Sequence, residues 1–453
     1  MPTIRARNGV LVLASLLFYF WAEGRYIGVM LVSVAIAWYF GNRIERTSTP
    51  RDRQRVTATG VLLILALLVS FKYANFFADN ANLLLALFGL PRLLHLAPVH
   101  LPIGISFFTF QVISYLIDVY RRDVAAQPSL FKVALYKTLF PQLIAGPIVR
   151  YRDVSRSIDD RHTSTDDFAE GAYLFAIGLA QKVVIANTVG AAADAIFRLP
   201  AGQLGTLVAW TGAICYTFQI YYDFAGYSNM AIGLCRIFGF RLLRNFAHPY
   251  SAQSITDFWR RWHISLSTWF RDYLYIPLGG SRGSAMQTYR NLFIVFVLCG
   301  LWHGASWTFI VWGLCHGSLL ALERAGLGRV LGRMPGLIRR GYTLLAVVIA
   351  WVVFRCESLA HAWVNIKAMF GFGPHTAFEA PVQQFVTPEI LAVLAIAAWF
   401  SFPHPRLVPS WDAADSPGVR QVAYSYLAFV TCLALSLIYL AGASFNPFIY
   451  FRF

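Results

Sequence analysis

Apolar residues gather in runs near 9–22, 26–40, 57–78, 101–120, 130–149, 169–197, 204–222, 286–302, 304–322, 342–355, 388–403 and 422–441, separated by short polar loops. At about 20 residues for each bilayer crossing, these runs predict an all-α, polytopic transmembrane helical bundle of about ten to thirteen helices. Several runs are short for a full crossing or are interrupted by Gly and Pro, as at Pro141 and Gly146–Pro147 in FPQLIAGPIVRY. Inside a membrane such breaks persist only where protein or a water-filled cavity covers the freed backbone groups. The pattern therefore predicts some broken or re-entrant helices around an internal cavity, more typical of an enzyme or transporter than of an anchor. Polar stretches near 152–168, 371–387 and 404–421 are the remaining candidates for extramembrane structure, and none is long enough for a separate domain. The expectation is a single integral membrane domain over 1–453, without a transporter-type internal repeat or a low-complexity tract.

Arginines orient the bundle. Arg5 and Arg7 precede the first run, and Arg43, Arg46, Arg51, Arg53 and Arg55 follow the second. Two crossings separate these clusters, so both fall on one side, which the positive-inside bias makes cytoplasmic. Arg324, Arg329, Arg333, Arg339 and Arg340 form a further basic loop, again two crossings away from the arginine-rich stretch 258–282. The first run, Gly9 to Trp21, leads straight into another apolar run with no small-residue cleavage site. It reads as a membrane segment, not a cleavable signal peptide.

Composition narrows the class further. The chain is 57% hydrophobic and 13% charged, against roughly 25% charged in soluble domains, so most of its exterior must face lipid. The net charge of +16 is a topology signal and not a nucleic-acid footprint, because the arginines sit in short loops between apolar runs. Cys215, Cys235, Cys299, Cys315, Cys356 and Cys432 lie in or beside apolar segments with no CxxC pair and no metal-ligand spacing. They read as small buried hydrophobes.

The chemistry concentrates between Tyr221 and Gly317. YYDFAGYSNMAIGL places Asp223, Ser228 and Asn229 inside an apolar run. An acid at membrane depth is a functional candidate by default, and the competing reading is a cap on a broken helix. In SITDFWRRWHISLSTWFRDYLYIPLGGSR, Ser254 and Asp257 have the spacing of a capping box. Trp259, Trp262, Leu266, Trp269, Phe270 and Tyr273 then recur at three and four residues, with Arg260, Arg261, Ser267 and Arg271 between them. That is an amphipathic helix of the membrane-interface type, with His263 on it, one turn from Trp259 and Ser267. A histidine there is either a site residue or one satisfied by headgroups or a hydroxyl. The next motif, CGLWHGASWTFIVWGLCHG, sets His303 between Gly300 and Gly304, flanked by Trp302 and Trp307, with His316 thirteen residues later. The glycines admit either a substrate or close helix packing. Histidine takes a proton near neutral pH, and acyl transfer to a hydroxyl needs such a base. His303 therefore points to chemistry, whereas His316 reads more plainly as a packed, hydrogen-bonded core residue. There is no HExxH, P-loop or GxGxxG and no nucleophile elbow, and no metal site or bound cofactor is expected.

In their order, YYDFAGYSNMAIGL, FWRRWHISLSTWFRDYLYIPLGGSR and LWHGASWTFIVWGLCHG resemble the membrane-bound O-acyltransferase family. Within it they are most similar to the bacterial branch of alginate O-acetyltransferases and relatives that acetylate other polysaccharides or peptidoglycan, or D-alanylate teichoic acid. GISFFTFQVISYLIDVY, FPQLIAGPIVRY and the closing FNPFIYFRF extend the resemblance over nearly the whole chain. It implies a helical bowl with a tunnel through which a donor on one face meets an acceptor from the other. It further implies that His303, in WHG, is the essential catalytic histidine and that His263, in WHIS, is the second of the pair. His303 would take the hydroxyl proton, and His263 would orient the acceptor or stabilise the oxyanion. Asp223, Ser228, Asn229, Arg260, Arg261, Trp302 and His316 are the candidate substrate-binding residues. Arg260, Arg261 and Arg271 would either attract donor phosphates or form a topology-setting belt. The implied donor is acetyl-CoA as a substrate. The implied acceptor is an extracytoplasmic polysaccharide, reached directly or through a periplasmic acetyltransferase-type partner, at the bacterial inner membrane. Proteins of this resemblance usually begin with one more hydrophobic segment, whereas here eight residues precede the first run.

One difficulty and one alternative stand at this point. The arginines place His263 near the cytoplasmic interface, while span counting places His303 toward the opposite side, so a shared site requires a broken or tilted helix. A transporter, or a scaffold subunit of a polysaccharide export or modification complex, would also have broken helices and buried polar residues.

Overall fold

Long apolar runs form helices because an intrahelical ladder is the way to satisfy backbone groups that lipid cannot. In the computed structural model, which describes residues 3–144, 146–373, 379–403, 419–442 and 448, the described residues are helical with no strand. Five helical stretches are long and apolar enough to cross a bilayer: Ile4–Arg46, Pro50–Lys72, Thr165–Phe197, Gly336–Arg355 and Val422–Gly442. Large apolar side chains such as Leu13, Leu17, Trp21 and Leu62 are exposed along them, the surface that hydrocarbon covers and water does not. The protein is an all-α, multi-pass membrane protein. The segment 404–418 and, apart from Phe448, the closing FNPFIYFRF lie outside the described residues.

The chain forms two compact units. The first comprises 1–168 and 235–243. Its helix Ile105–Arg121 is buried on most of its circumference, with Ile27–Arg46 and Pro50–Lys72 packed against it. The expected break in FPQLIAGPIVRY is present. Helix Leu130–Thr138 stops, one short turn Phe140–Leu143 follows, and residues 147–150 are neither helix nor strand before the next helix starts at Tyr151. Side chains cover the freed backbone: Tyr136 donates to the Val149 carbonyl at 2.9 Å and Gln142 to the Tyr136 carbonyl at 3.1 Å. Lys137 is fully buried and donates to the Phe108 carbonyl at 2.5 Å.

The second unit comprises 169–234 and 244–453. The run expected at 204–222 continues as one helix, Thr206–Ile237, of 32 residues, about 48 Å at the usual rise. Asp223, Ser228 and Asn229 do not end it because each of the three is met by a partner from elsewhere in the unit. Gly178 and Gly226 face one another so closely that a Cβ on either would sit 2.5–2.6 Å from the other's carbonyl. This small-residue contact brings the two backbones together. A tight antiparallel hairpin, Ala285–His303 and Trp307–Leu322, carries the WHG motif at its turn. The helix Leu359–Met369 was not expected, because its 11 residues include His361, Asn365 and Lys367 and give no apolar run.

Candidate active site

The segment 254–275 departs from the single amphipathic helix its periodicity predicts. Ser254 caps as expected, accepting from the Asp257 backbone N–H at 2.9 Å. The Asp257 carboxylate in turn accepts from the Gln253 N–H at 3.2 Å, one residue earlier than a standard box. The helix Ile255–Arg261 then stops, and a second, Ile264–Phe270, begins after His263. His263 itself has φ 42°, a left-handed conformation that costs a non-glycine residue about 1–3 kcal/mol and clusters at functional sites. It lies on a break, not on a continuous helical face. Phe258, Trp262 and Leu266 are buried within the protein, at no more than 2% exposure. The aromatic face thus turns into the unit's core and not onto a bilayer surface. Glu323 holds the segment from outside, its carboxylate accepting from the backbone N–H groups of Ile255 and Thr256 at 2.6 and 3.0 Å. These are first-turn donors that a helix cannot satisfy internally.

His303 is the last residue of its helix and is 5% exposed. Its imidazole is boxed by Trp302, Trp312 and Phe354, with ring centroids 4.9, 5.0 and 5.1 Å away. Gly300 packs against the Phe309 carbonyl and Gly304 against the Phe309 ring. Of the two readings of these glycines, close helix packing is the one the structure bears out. The His263 ring lies 6.0 Å from Trp302, so both histidines lie against the same indole. The apparent separation by span counting disappears because the chain breaks at His263 and the hairpin turns at His303.

His263 Nδ1 is 3.1 Å from Asn245 Oδ1, which also receives the Ser265 hydroxyl at 2.9 Å. Asn245 Nδ2 donates to Ser228 Oγ at 3.1 Å. Ser228 therefore belongs to the His263 network. Asp223 does not cap a broken helix; it pairs with Lys182 at 2.5 Å in mid-helix, 2% exposed. Asn229 donates to Gln181 Oε1 at 2.8 Å. Both partners sit in a π-helical turn, Gln181–Ala186, a deviation frequent at functional sites. His316 is fully buried and accepts from Trp259 Nε1 at 3.2 Å. It is a packed, hydrogen-bonded core histidine.

Sequence reasoning missed Asn245, Ser265, Lys182, Gln181 and Glu323. Asn245 sits in a short polar loop ahead of the aromatic segment, and its only flag was being an amide beside Arg244 in RNFAHPY. Lys182 was detectable as a cation inside the apolar run 169–197.

A cavity of about 1170 Å³ opens beside the histidines, lined by Arg260, Arg261, Arg271, Arg324 and Arg339 with apolar walls from Trp259, Leu266, Phe270 and Phe296. Arg261 is held by Asp257 and Arg271 by Asp272, at 2.8 and 2.7 Å. Among the described residues no carboxylate pairs with Arg260, Arg324 or Arg339, and Arg339 Nε is buried without a hydrogen-bond partner. Arg261 and Ile264 line the cavity on either side of His263 in the chain, and Cys299 lines it one helical turn before His303.

Comparison with known proteins bears on the chemistry. The family model for "MBOAT, membrane-bound O-acyltransferase family" matches residues 105–360. The chain is 41% identical to the "Probable alginate O-acetylase" of Azotobacter vinelandii, over 99% of this chain and 95% of that one. It is 38% identical to the "Peptidoglycan O-acetyltransferase" of Helicobacter pylori, over 80% and 73% of the two chains. It is 30% identical to the "Teichoic acid D-alanyltransferase" of Bacillus subtilis, over 51% and 62%.

Proposed function

This chain belongs to the membrane-bound O-acyltransferase family and is an O-acyltransferase, and we propose that it acetylates an extracytoplasmic polysaccharide, alginate being the first acceptor to test. The observation that carries the site assignment is that His303 and His263, from two separate motifs, lie against one indole, Trp302. Family membership supports the reaction class, and the likeness to a probable alginate O-acetylase supports the acceptor. The relatives with peptidoglycan and teichoic acid acceptors mark the alternatives.

In the proposed reaction an acceptor hydroxyl gives its proton to His303 as its oxygen attacks the thioester carbonyl of the donor. The tetrahedral intermediate collapses with C–S cleavage, and the leaving thiolate takes the proton from His303. The products are an acetyl ester and a free thiol. A well-placed general base contributes about a hundred- to ten-thousand-fold. The donor we propose is acetyl-CoA, entering from the cytoplasmic side of the inner membrane. The arginine-lined cavity supports this reading, since guanidinium groups without carboxylate partners suit phosphates. Its volume also exceeds the roughly 300–1,000 Å³ of ordinary ligand pockets. The acceptor hydroxyl belongs either to the glycan or to a periplasmic acetyltransferase-type partner that completes the transfer.

The test is polysaccharide O-acetylation in cells lacking this protein, complemented with wild type or His303→Ala at matched membrane levels. Wild type restores acetyl ester and the variant does not. Equal restoration by both would make His303 structural and favour a scaffold or transporter.

A further inference from the structure

We infer that Asn245 is a positioning residue that fixes His263 as the Nδ1–H tautomer, leaving Nε2 as a bare acceptor for a hydroxyl of the incoming substrate other than the one that reacts at His303. The inference rests on the reading of His263 as part of the acyl-transfer site, and it decides between the two roles open to that residue.

The Ser265 backbone N–H, which can only donate, lies 3.3 Å from the side-chain oxygen of Asn245. That contact sets the amide with Oδ1 toward Ser265 and Nδ2 toward Ser228 Oγ, 3.1 Å away. Oδ1 has lone pairs and no proton. His263 Nδ1 lies 3.1 Å from it, so Nδ1 must carry the hydrogen; a bare Nδ1 would set two acceptors against each other. The Ser265 hydroxyl gives its own proton to Oδ1 at 2.9 Å and offers a lone pair to Nδ1 at 3.4 Å. The bond made by one ring nitrogen fixes the state of the other. Nε2 is buried and has no hydrogen-bond partner among the described residues. A doubly protonated ring would leave a charged N–H there unanswered, which a buried site does not tolerate.

A neutral imidazole with its lone pair on Nε2 accepts a hydrogen bond and cannot donate one. His263 therefore orients the acceptor by taking a hydrogen bond from a second hydroxyl, not the one that reacts at His303, and does not stabilise an oxyanion, a task that requires a donor. The arrangement also explains the left-handed backbone at residue 263: the reversal there brings Nδ1 and the Ser265 N–H onto the same amide oxygen. The strain is held by that shared acceptor.

The direct measurement is the nitrogen spectrum of the full-length protein, 15N-labelled at its ten histidines and reconstituted in lipid. The His263 signals are identified by difference against His263→Phe. Wild type shows a protonated Nδ1 and a bare Nε2, and a protonated Nε2 overturns the proposal. In Asn245→Leu the preference for Nδ1–H is lost, and transfer falls by about a hundred- to ten-thousand-fold, the range set by a mis-set histidine tautomer. Asn245→Asp keeps an acceptor against Nδ1 and holds both the Nδ1–H signature and transfer within about tenfold of wild type. Asn245→Leu retaining the wild-type signature and rate would also sink the idea. The spectrum is read without turnover, so it stands or falls separately from the acyl-transfer reading, which His303→Ala tests.

Discussion

A carboxylate buried at 2% exposure survives only with a countercharge, and Asp223 has Lys182 at 2.5 Å. The pair adds little net stability against an apolar replacement, but removing one partner strands the other. Asp223→Ala is expected to cost about 3–5 kcal/mol, read as a drop in melting temperature of the purified protein. The double variant Asp223→Leu/Lys182→Met recovers most of that loss. Equal melting of the single and double variants would show that the pair is not what the cost comes from. At this scale, residue type alone pointed His303 to chemistry and left His263 and Asp223 open between a site role and a structural one, because protonatable groups in apolar surroundings need a reason to be there. It was the family resemblance that paired His263 with His303. Which residue pairs with which was illegible. Asn245 reaches His263, and Lys182 reaches Asp223, across sequence separations with no helical period, and periodicity is the main signal a single sequence carries.

Most helices could be read from the apolar runs, because in hydrocarbon the backbone has no other open choice. What could not be read was where polar residues would end a helix and where they would be absorbed. Asp223, Ser228 and Asn229 lie inside 32 continuous helical residues because each meets a partner, whereas His263 breaks a segment whose aromatic spacing is perfectly helical. Local pattern gave one helix; the shared bonds of Asn245 gave two. The hairpin of Ala285–His303 and Trp307–Leu322 makes a sharper prediction. A Cβ at Gly313 runs into the Phe296 carbonyl, and backbone cannot be repacked as a side chain can. Gly313→Leu is expected to destabilise by about 1–3 kcal/mol or more and to lower transfer by shifting His303. Purified variant protein with an unchanged melting temperature and unchanged transfer rate would count against close packing as the role of that glycine.

Across the whole molecule, the charge of +16 was legible as topology, and Arg260, Arg261 and Arg271 as either a phosphate-attracting set or a topology-setting belt, but not that Arg324 and Arg339 would join Arg260 around one cavity. Arg260, Arg324 and Arg339 come from three places in the chain and meet only once the fold has formed. Hydrogen bonds to charged groups contribute about 1.5–3 kcal/mol each. The double variant Arg260→Gln/Arg339→Gln is therefore expected to raise the KM for acetyl-CoA, the donor we propose, at least tenfold in membrane vesicles. The turnover number at saturating donor stays nearly unchanged, since His303 and His263 do not lie on the cavity lining. A lowered turnover with unchanged KM would place the arginines in the chemistry and not in donor capture.

The π-helical turn at Gln181–Ala186 bears on how this chain tolerates insertion and deletion. Such a turn carries one residue more than the α-helix it interrupts, so the faces before and after it are offset by about 100° relative to an uninterrupted helix. Lys182 within the turn is committed to Asp223, and Asp194 beyond it is committed to Arg355 at 2.6 Å. A regular helix of one residue fewer would be a better helix by itself, yet it could align with one of these two partners only. The irregularity acts as a phase adjuster between two fixed appointments. Shortening this stretch by a single residue should accordingly be less acceptable to the protein than replacing any one of its side chains.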